Sequence, residues 1–366
     1  MHAITMISED GKFGKPGQVY YPLSLRSVPI PSPKGSELLI KLSAASLNHR
    51  DLFLRKHLYP GACFETPILS DGVGVVASTG PEVPHAQSWM NKRVVLNPAT
   101  GWKDAPEGPE TATGFKLMGG TSLYDKGTLQ EYITLDVSEV EEAPEHLSDA
   151  EAAALPLAGL TAWRALVTKA GEANSRTGAA ILVTGIGGGV ALMALRFAAA
   201  RGADVYVTSS SEEKIKHAIE LGARGGVNYK EAGWEKKLKG MLPDGKVEFD
   251  AIIDGAGGEV VEKGVKLLKD GGIISIYGMT VGPKMTWLMQ AVIKNIDLRG
   301  TTMGSRKEFK DMVDFVKEHK IKPLVWKVVQ GIDNLDAING LFDDMQKGDQ
   351  FGKLVIEFGD SNGSKL

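Results

Sequence analysis

The sequence predicts an α/β protein in two parts, one β-rich and one built on a doubly wound parallel sheet. Three observations predict it. Across the first 150 or so residues, short apolar runs alternate with Gly, Pro and Asn punctuation, the pattern of short strands joined by turns. From Ala179 the pattern becomes strand, helix, strand, helix, which is how a parallel sheet with helical crossovers is written. The chain then closes on an apolar run, Lys353–Phe358, a terminal strand expected to return to the part that the chain began with.

Taken in order, the β-rich part carries strand runs at Glu37–Leu42, Gly72–Ala77 and Arg93–Leu96. Asp149–Thr168 is alanine-rich and helical, with Ser148 or Asp149 as N-cap and Pro156 dividing it into two pieces. Strands follow at Ala180–Thr184, Asp204–Thr208, Gly226–Val227, Ala251–Asp254 and Gly272–Tyr277. Between them lie helices at Ala191–Arg201, Glu212–Leu221, Trp234–Met241 and Gly258–Lys269. Two more helices, near Lys307–Glu318 and Asn334–Gln346, precede the terminal strand. The expected domains are residues 1–155, completed by 300–366, and residues 156–299. No repeat is visible that would suggest a solenoid or propeller.

Composition excludes several classes. With 42 basic and 45 acidic residues the formal charge is −3, and no block of one sign exists, so nothing nominates a nucleic acid as partner. A single cysteine, Cys63, rules out an internal disulfide framework and any cysteine-rich zinc knuckle, and fits a reducing compartment. Gly178–Leu195 is uncharged over 18 residues, but five are glycines and Arg196 follows; strand, glycine turn and helix explain it better than a membrane span. The N-terminus lacks the charged lead and apolar core of a secretory signal. The last three residues, Ser364-Lys365-Leu366, read as a peroxisomal address behind a polar run. Import by the receptor for that tripeptide is expected, with the cytosol as the alternative.

The sharpest motif is ILVTGIGGGVALMALRF. A buried strand ends at Thr184, Gly185, Gly187, Gly188 and Gly189 make the turn, and a helix opens near Val190. Glycines allow the tight turn and let backbone approach a pyrophosphate, which the helix N-terminus attracts through its unpaired N–H groups. The third position of the usual fingerprint is Val190 rather than glycine, yet the strand before and the helix and strand after support dinucleotide binding. NAD sites place an acid at the end of the second strand. Here stand Thr208, Ser209, Ser210 and Ser211, with no acid before Glu212. Small hydroxyls admit and donate to a 2′-phosphate, and Lys214 adds a charge unless it is simply a solvated helix residue. This pattern favours NADPH.

These residues, together with ASLNHRDLFLRKHLYPG (45–61), PILSDGVGVV (67–76), GTLQEY (127–132) and LPLAGLTAWRAL (155–166), resemble the medium-chain dehydrogenase/reductase superfamily in order over roughly residues 15–358. The resemblance implies a GroES-like catalytic domain formed by the N-terminal part and the C-terminal tail. A Rossmann domain is inserted between them and the active site lies in the cleft. Zinc-dependent members carry three catalytic ligands, and the matching positions here are Asn48, Ser70 and Leu157, or Ala158 by one alignment step. An amide, a hydroxyl and an alkyl group make poor zinc ligands. Asp71 alone is no site, and His49, beside Arg50 and Asp51, is better read as a scaffold residue. The stretch 97–126, where a structural zinc lobe would sit, holds no cysteine. The expectation is therefore a zinc-independent enzyme.

Without a metal, hydrogen-bond donors or the cofactor must stabilise the developing charge. Relatives resembling enoyl reductases carry a tyrosine eleven residues after this asparagine, which here is Tyr59. Its phenol is a proton or oxyanion donor for reduction of a C=C conjugated to a carbonyl, or else a packing residue before Pro60-Gly61. Asn48 turns its amide to the substrate carbonyl or the nicotinamide ribose, or else serves the turn. The same resemblance places Thr161 near the nicotinamide, Tyr229 at the adenosine 2′-phosphate, and Gly255, Gly278, Met279, Met303 and Gly304 in loops that touch ribose and nicotinamide; Met303 reads equally as packing. Quinone or carbonyl reduction uses the same groups and stays open. So does an NADPH-binding protein without significant catalysis, as some members of the superfamily are. A homodimer through edge strands near Gly272–Tyr277 and Leu298–Thr302 is the family expectation.

Overall fold

The structure, a computed structural model, describes residues 1–8, 10–111, 114–282 and 284–359; Ser364-Lys365-Leu366 lies outside the described residues. The chain forms two compact units, residues 1–157 with 305–366 and residues 158–304. Both belong to the expected architecture, a GroES-like β-rich unit and a Rossmann-type parallel sheet.

The contiguous unit is a six-stranded parallel sheet. Its spatial order is Gly225–Asn228, Asp204–Ser209, Ala180–Val183, Phe249–Asp254, Leu268–Ile276, Asp297–Gly300, so the first strand in the chain lies at the centre and the order reverses beside it. The central strand, AILV, is buried along its whole length, which is why it lacks the alternation of a half-exposed strand. Leu182, Tyr206, Ile252 and Ile274 carry the core on one side, with Phe249, Trp234 and Leu267 packed among them. The switch in strand order next to Ala180–Val183 opens the crevice in which such sheets bind ligands.

The discontinuous unit is built on a curved, mostly antiparallel sheet. Its order is Val325–Gln330, Lys353–Glu357, Glu37–Ser46, Asp71–Thr79, Arg93–Leu96, Val140–Glu142, and Tyr132–Asp136 also pairs with Glu37–Ser46. The C-terminal strand is thus an interior strand, hydrogen-bonded to Val325–Gln330 on one side and to Glu37–Ser46 on the other. Register brings Ser46 opposite both Val355 and Asp71, so three distant segments converge on one point of the sheet. Leu38, Ile40, Val76, Val94, Leu341 and Ile356 fill the core beneath it.

Several elements differ from the sequence reading. The paired strands His2–Met6 and Leu23–Ser27, and the strand Val325–Gln330, were not anticipated. Val325–Gln330 is mostly exposed, and an edge strand carries little apolar patterning. The helix expected at Gly258–Lys269 is Val260–Leu267 and runs straight into the strand Leu268–Ile276, which starts four residues earlier than expected because Lys269-Asp270-Gly271 is polar or glycine yet within the strand. Trp234–Lys239 stops before Met241. Pro156 does separate two helices, Asp149–Ala153 and Pro156–Trp163, the second continuing as a π-helix over Arg164–Lys169. Among the described residues no helix is long and apolar enough to cross a membrane.

Candidate functional site

In the parallel-sheet unit, the glycine turn is tied to the ends of both neighbouring strands. Thr184 N donates to Ile253 O at 3.1 Å, Ile186 N to Thr208 O at 2.8 Å and Gly185 N to Thr208 Oγ1 at 3.2 Å. Gly185 and Gly187 have φ of +60° and +138°, conformations that only glycine adopts without strain. A Cβ at Gly185 or Gly188 would meet no protein atom within 4 Å, so the turn faces open space. The helix Gly189–Ala200 begins at Gly188 without a side-chain cap, leaving its first N–H groups for a ligand. Val190 is half-buried in its first turn.

The expected 2′-phosphate residues meet at one corner of this unit. Ser209 is buried and its Oγ accepts from Ser211 N at 3.2 Å. Ser211 in turn caps the helix Glu212–Glu220 by accepting from Lys214 N at 3.3 Å. Ser210 is exposed, and exposed Tyr229 is held beside it, its N donating to Ser209 O at 3.0 Å. No carboxylate side chain stands in the stretch from Thr208 to Ser211.

The remaining cofactor residues divide. Asp254 is fully buried; burial pushes its pKa up, and donors at Thr184 Oγ1, Gly257 N (2.7 Å) and Ala256 N (3.1 Å) work against that shift. A Cβ on Gly255 would fall 2.5 Å from the Tyr277 ring, and one on Gly278 would fall 3.1 Å from Gly255 O. Glycine at both positions therefore already has a packing reason. Met279 packs against the sheet core. Met303 is buried with φ +45° and is followed by buried Gly304; a non-glycine residue in that region is strained. Thr161 is buried in the helix Pro156–Trp163, and among the described residues its hydroxyl has no hydrogen-bond partner, an orphan that a bound ligand would satisfy.

In the β-rich unit, Asn48 lies just ahead of the helix His49–Arg55, where Asp51 Oδ2 accepts from Asn48 N at 2.8 Å. The Asn48 side chain is part of a buried polar network. Its Nδ2 donates to Asp71 Oδ2 at 2.9 Å, and its Oδ1 accepts from Lys353 Nζ at 2.7 Å. Lys353 Nζ also donates to Asp71 Oδ2 at 2.9 Å. Asp71 further accepts from Ser46 Oγ at 3.0 Å and Leu157 N at 2.8 Å. Gly352, at φ +130°, allows the close approach that places Lys353, since a Cβ there would sit 2.6 Å from Leu324 O. Lys353 is a member that sequence reasoning missed. Its only signal was a charged residue opening an apolar strand, 305 positions from its partner.

Around this network, Arg50 is buried and clamped by Asp51 (3.0 Å), Ser70 Oγ (3.2 Å) and Gly119 O (2.9 Å), and its guanidinium lies 4.9 Å from the centre of the Tyr59 ring. Burial pushes the Asp51 carboxyl up to about 6, against the pull of Arg50 and Asn48 N. Tyr59 is half-buried against the core, and among the described residues its hydroxyl has no hydrogen-bond partner. His49 exposes its ring, yet the surrounding protein and the Lys353 ammonium hold its pKa below the ordinary imidazole value.

The positions that match zinc ligands are already engaged within the protein or carry no donor atom. Of the three matching positions, Asn48 has its oxygen on an ammonium, Ser70 Oγ accepts from Arg50, and Leu157 offers no donor atom. Cations already sit beside both nearby carboxylates, Lys353 on Asp71 and Arg50 on Asp51, and would repel a further cation. Among the described residues no cluster of three His, Cys, Asp or Glu could hold a metal. In the stretch 97–126 a carboxylate organises the backbone: Glu110 accepts from Lys103 N, Asp104 N (2.7 Å) and Ala105 N (3.1 Å), and these bonds bring its pKa down to about 2.

The strand order and the open glycine turn accompany matches that place the chain among pyridine-nucleotide-dependent oxidoreductases. Residues 34–145 match the model of the alcohol dehydrogenase GroES-like domain, and residues 189–318 that of zinc-binding dehydrogenases. The chain belongs to the zinc-type alcohol dehydrogenase-like group of the medium-chain dehydrogenase/reductase superfamily. It is 54% identical over 350 residues to the zinc-type alcohol dehydrogenase-like protein YogA of Leptosphaeria maculans, covering 94% of this chain and 97% of that one. A zinc-type alcohol dehydrogenase-like protein of Schizosaccharomyces pombe is 33% identical over 88% of this chain and 90% of its own. Among solved structures, an NAD-dependent alcohol dehydrogenase superposes with a TM-score of 0.85 at 30% identity, covering 98% of this chain and all of that one.

The Glu110 clamp gives a test. A carboxyl whose folded pKa is depressed to about 2 from 4.5 stays charged, and holds its N–H donors, from neutral pH down to about pH 2. Glu110→Gln is expected to speed amide exchange at Lys103, Asp104 and Ala105 several-fold at neutral pH. In the parent the protection should persist at pH 4.

Proposed function

We propose that this protein is a zinc-independent, NADPH-dependent reductase that transfers hydride to a C=C conjugated to a carbonyl. The observation that carries the reading is the donor set at Asn48, Ser70 and Leu157: where zinc-dependent relatives hold a Lewis acid, this chain has a neutral amide bonded to a lysine and an aspartate. Such a site offers hydrogen-bond donors to an oxyanion and no metal to an alcohol oxygen. NADPH is favoured because the corner at Ser209, Ser210, Lys214 and Tyr229 provides hydroxyls and a cation and lacks the carboxylate that would repel a 2′-phosphate.

When bound, NADPH would supply a hydride for the β-carbon of the electrophile. In this reading the glycine turn and the free N–H groups of the helix Gly189–Ala200 hold the pyrophosphate, and Thr161 meets the nicotinamide end. Negative charge that builds on the carbonyl oxygen is met by the Asn48 amide. Tyr59, its hydroxyl unspent and its ring steadied by Arg50, delivers the proton to the enolate at the α-carbon. The Tyr59 phenolate is then reprotonated from water.

The experiment is metal-analysed protein assayed for oxidation of NADPH and NADH against a small enone, a quinone and a ketone. NADPH-selective reduction of the enone is expected. A quinone or ketone preference would move the reaction to carbonyl chemistry, tight binding without turnover would make the protein a nucleotide binder, and stoichiometric zinc would overturn the ligand argument. Tyr59→Phe should lower kcat on the order of 10²-fold with NADPH affinity unchanged; an unaltered kcat returns Tyr59 to packing. Ser209→Asp retains an acceptor for Ser211 N and should weaken NADPH relative to NADH by about tenfold or more, read by fluorescence titration.

A further inference from the structure

An asparagine side chain is ambiguous: its oxygen and nitrogen have nearly the same shape, and only the partners decide which way it points. Asn48 has partners that leave no choice. Lys353 carries three donors and no acceptor, and Asp71, its ion-pair partner, offers carboxylate acceptors. With Lys353 Nζ at 2.7 Å from Oδ1 and Asp71 Oδ2 at 2.9 Å from Nδ2, rotating the amide by half a turn would set donor against donor and acceptor against acceptor. All three groups are buried, with 8%, 0% and 5% of Asn48, Asp71 and Lys353 exposed, so water cannot relieve the mismatch.

The network also leaves one donor over. Nδ2 has two hydrogens, and one is spent on Asp71; among the described residues the other has no partner. Asp71 Oδ2 already accepts from Ser46 Oγ, Asn48 Nδ2 and Lys353 Nζ, and Oδ1 is held by Leu157 N, so the bond that Asn48 Nδ2 makes to Oδ2 occupies only one of its two hydrogens. An ammonium on the amide oxygen withdraws charge from the nitrogen, which makes that remaining N–H a stronger donor than a free amide.

We infer that Lys353 and Asp71 are positioning residues that lock the Asn48 amide in one orientation and present its second N–H to the carbonyl oxygen of the substrate. This rests on the reading above that Asn48 meets that oxygen as charge develops. The buried ion pair thus does for a metal-free site what fixed ligands do for a metal: it holds the electrophilic group where charge appears, with no reorganisation during the reaction. The pair itself touches neither substrate nor cofactor in this account and acts only through Asn48.

The test uses four variants of the full chain, each checked for an intact melting transition and assayed with NADPH and the enone. Lys353→Met alone would strand a buried carboxylate, so the pair is neutralised together as Asp71→Asn/Lys353→Met, which leaves no unpaired charge. Asn48→Ala should lower kcat on the order of 10²-fold, the usual loss for an oxyanion donor. The double variant should lower kcat by about tenfold or more with the KM for NADPH unchanged, and Lys353→Arg, still a donor-only cation, should stay within a few-fold of the parent. Combining Asn48→Ala with the double variant should give no further loss, since residues that act only through Asn48 have nothing left to position. Parental kcat in the double variant, with Asn48→Ala impaired, overturns the inference alone. So does a loss in the triple variant about tenfold beyond Asn48→Ala, because the pair would then act on the reactants directly. Parental kcat in Asn48→Ala overturns both this inference and the placement of Asn48 at the substrate.

Discussion

The β-rich unit depends on one buried ion pair. Lys353 and Asp71 are drawn from opposite ends of the chain, and each is almost wholly withdrawn from water. Breaking such a pair by removing one partner typically costs about 3–5 kcal/mol, because the survivor is left charged in a poor solvent. The strands therefore have to hold register well enough to keep Ser46, Asn48, Asp71, Leu157 and Lys353 together. A slip of one residue in Lys353–Glu357 would turn Lys353 to the other face of the sheet. The strained left-handed backbone at Leu69, φ +68°, lies two residues before Asp71 and belongs to the same tightly determined corner.

The two units solve the problem of a polar site in different ways. In the parallel sheet the polar groups are backbone: free N–H groups at a helix start, glycines that leave open space, and a turn laced to its neighbours. Such a site is tolerant of side-chain identity and recognises what all dinucleotides share. In the β-rich unit the polar groups are side chains in a closed network, where each partner's chemistry dictates the next. Discrimination between reactions is expected to reside there, because changing one member alters the chemistry offered by the others.

The parallel sheet was legible because its signals are local. Apolar runs of strand length, helical spacing between them and glycines clustered at 185–189 all occur within a few residues of the feature they specify. The glycine turn, the hydroxyl corner and the doubly wound parallel sheet could be read from the chain by that means. Asn48, Tyr59 and Thr161 came from resemblance to a family and not from periodicity, and the structure adds what surrounds each of them. Lys353 was out of reach because its meaning depends on Asp71 and Asn48, which lie 282 and 305 residues away. Arg50 was seen as a neighbour of His49, but its place under the Tyr59 ring depends on how the chain returns after Arg55. The strand Val325–Gln330 escaped because an edge position does not impose an apolar pattern.

The position of Lys353–Glu357 inside its sheet has a consequence for biosynthesis. The parallel-sheet unit is one unbroken stretch, residues 158–304, and can fold as soon as that stretch has left the ribosome. The β-rich unit cannot, since its sheet lacks an interior strand, and Asp71 lacks its counter-ion, until Lys353–Glu357 has been released. While about 300 further residues are translated, Ala44–Ser46 lacks the strand it pairs with, although Glu37–Lys41 can already pair with Tyr132–Asp136; an unpaired edge above an incomplete core is the kind of surface that invites aggregation. The nascent chain is thus exposed at Ala44–Ser46 until a strand made about 300 residues later closes it.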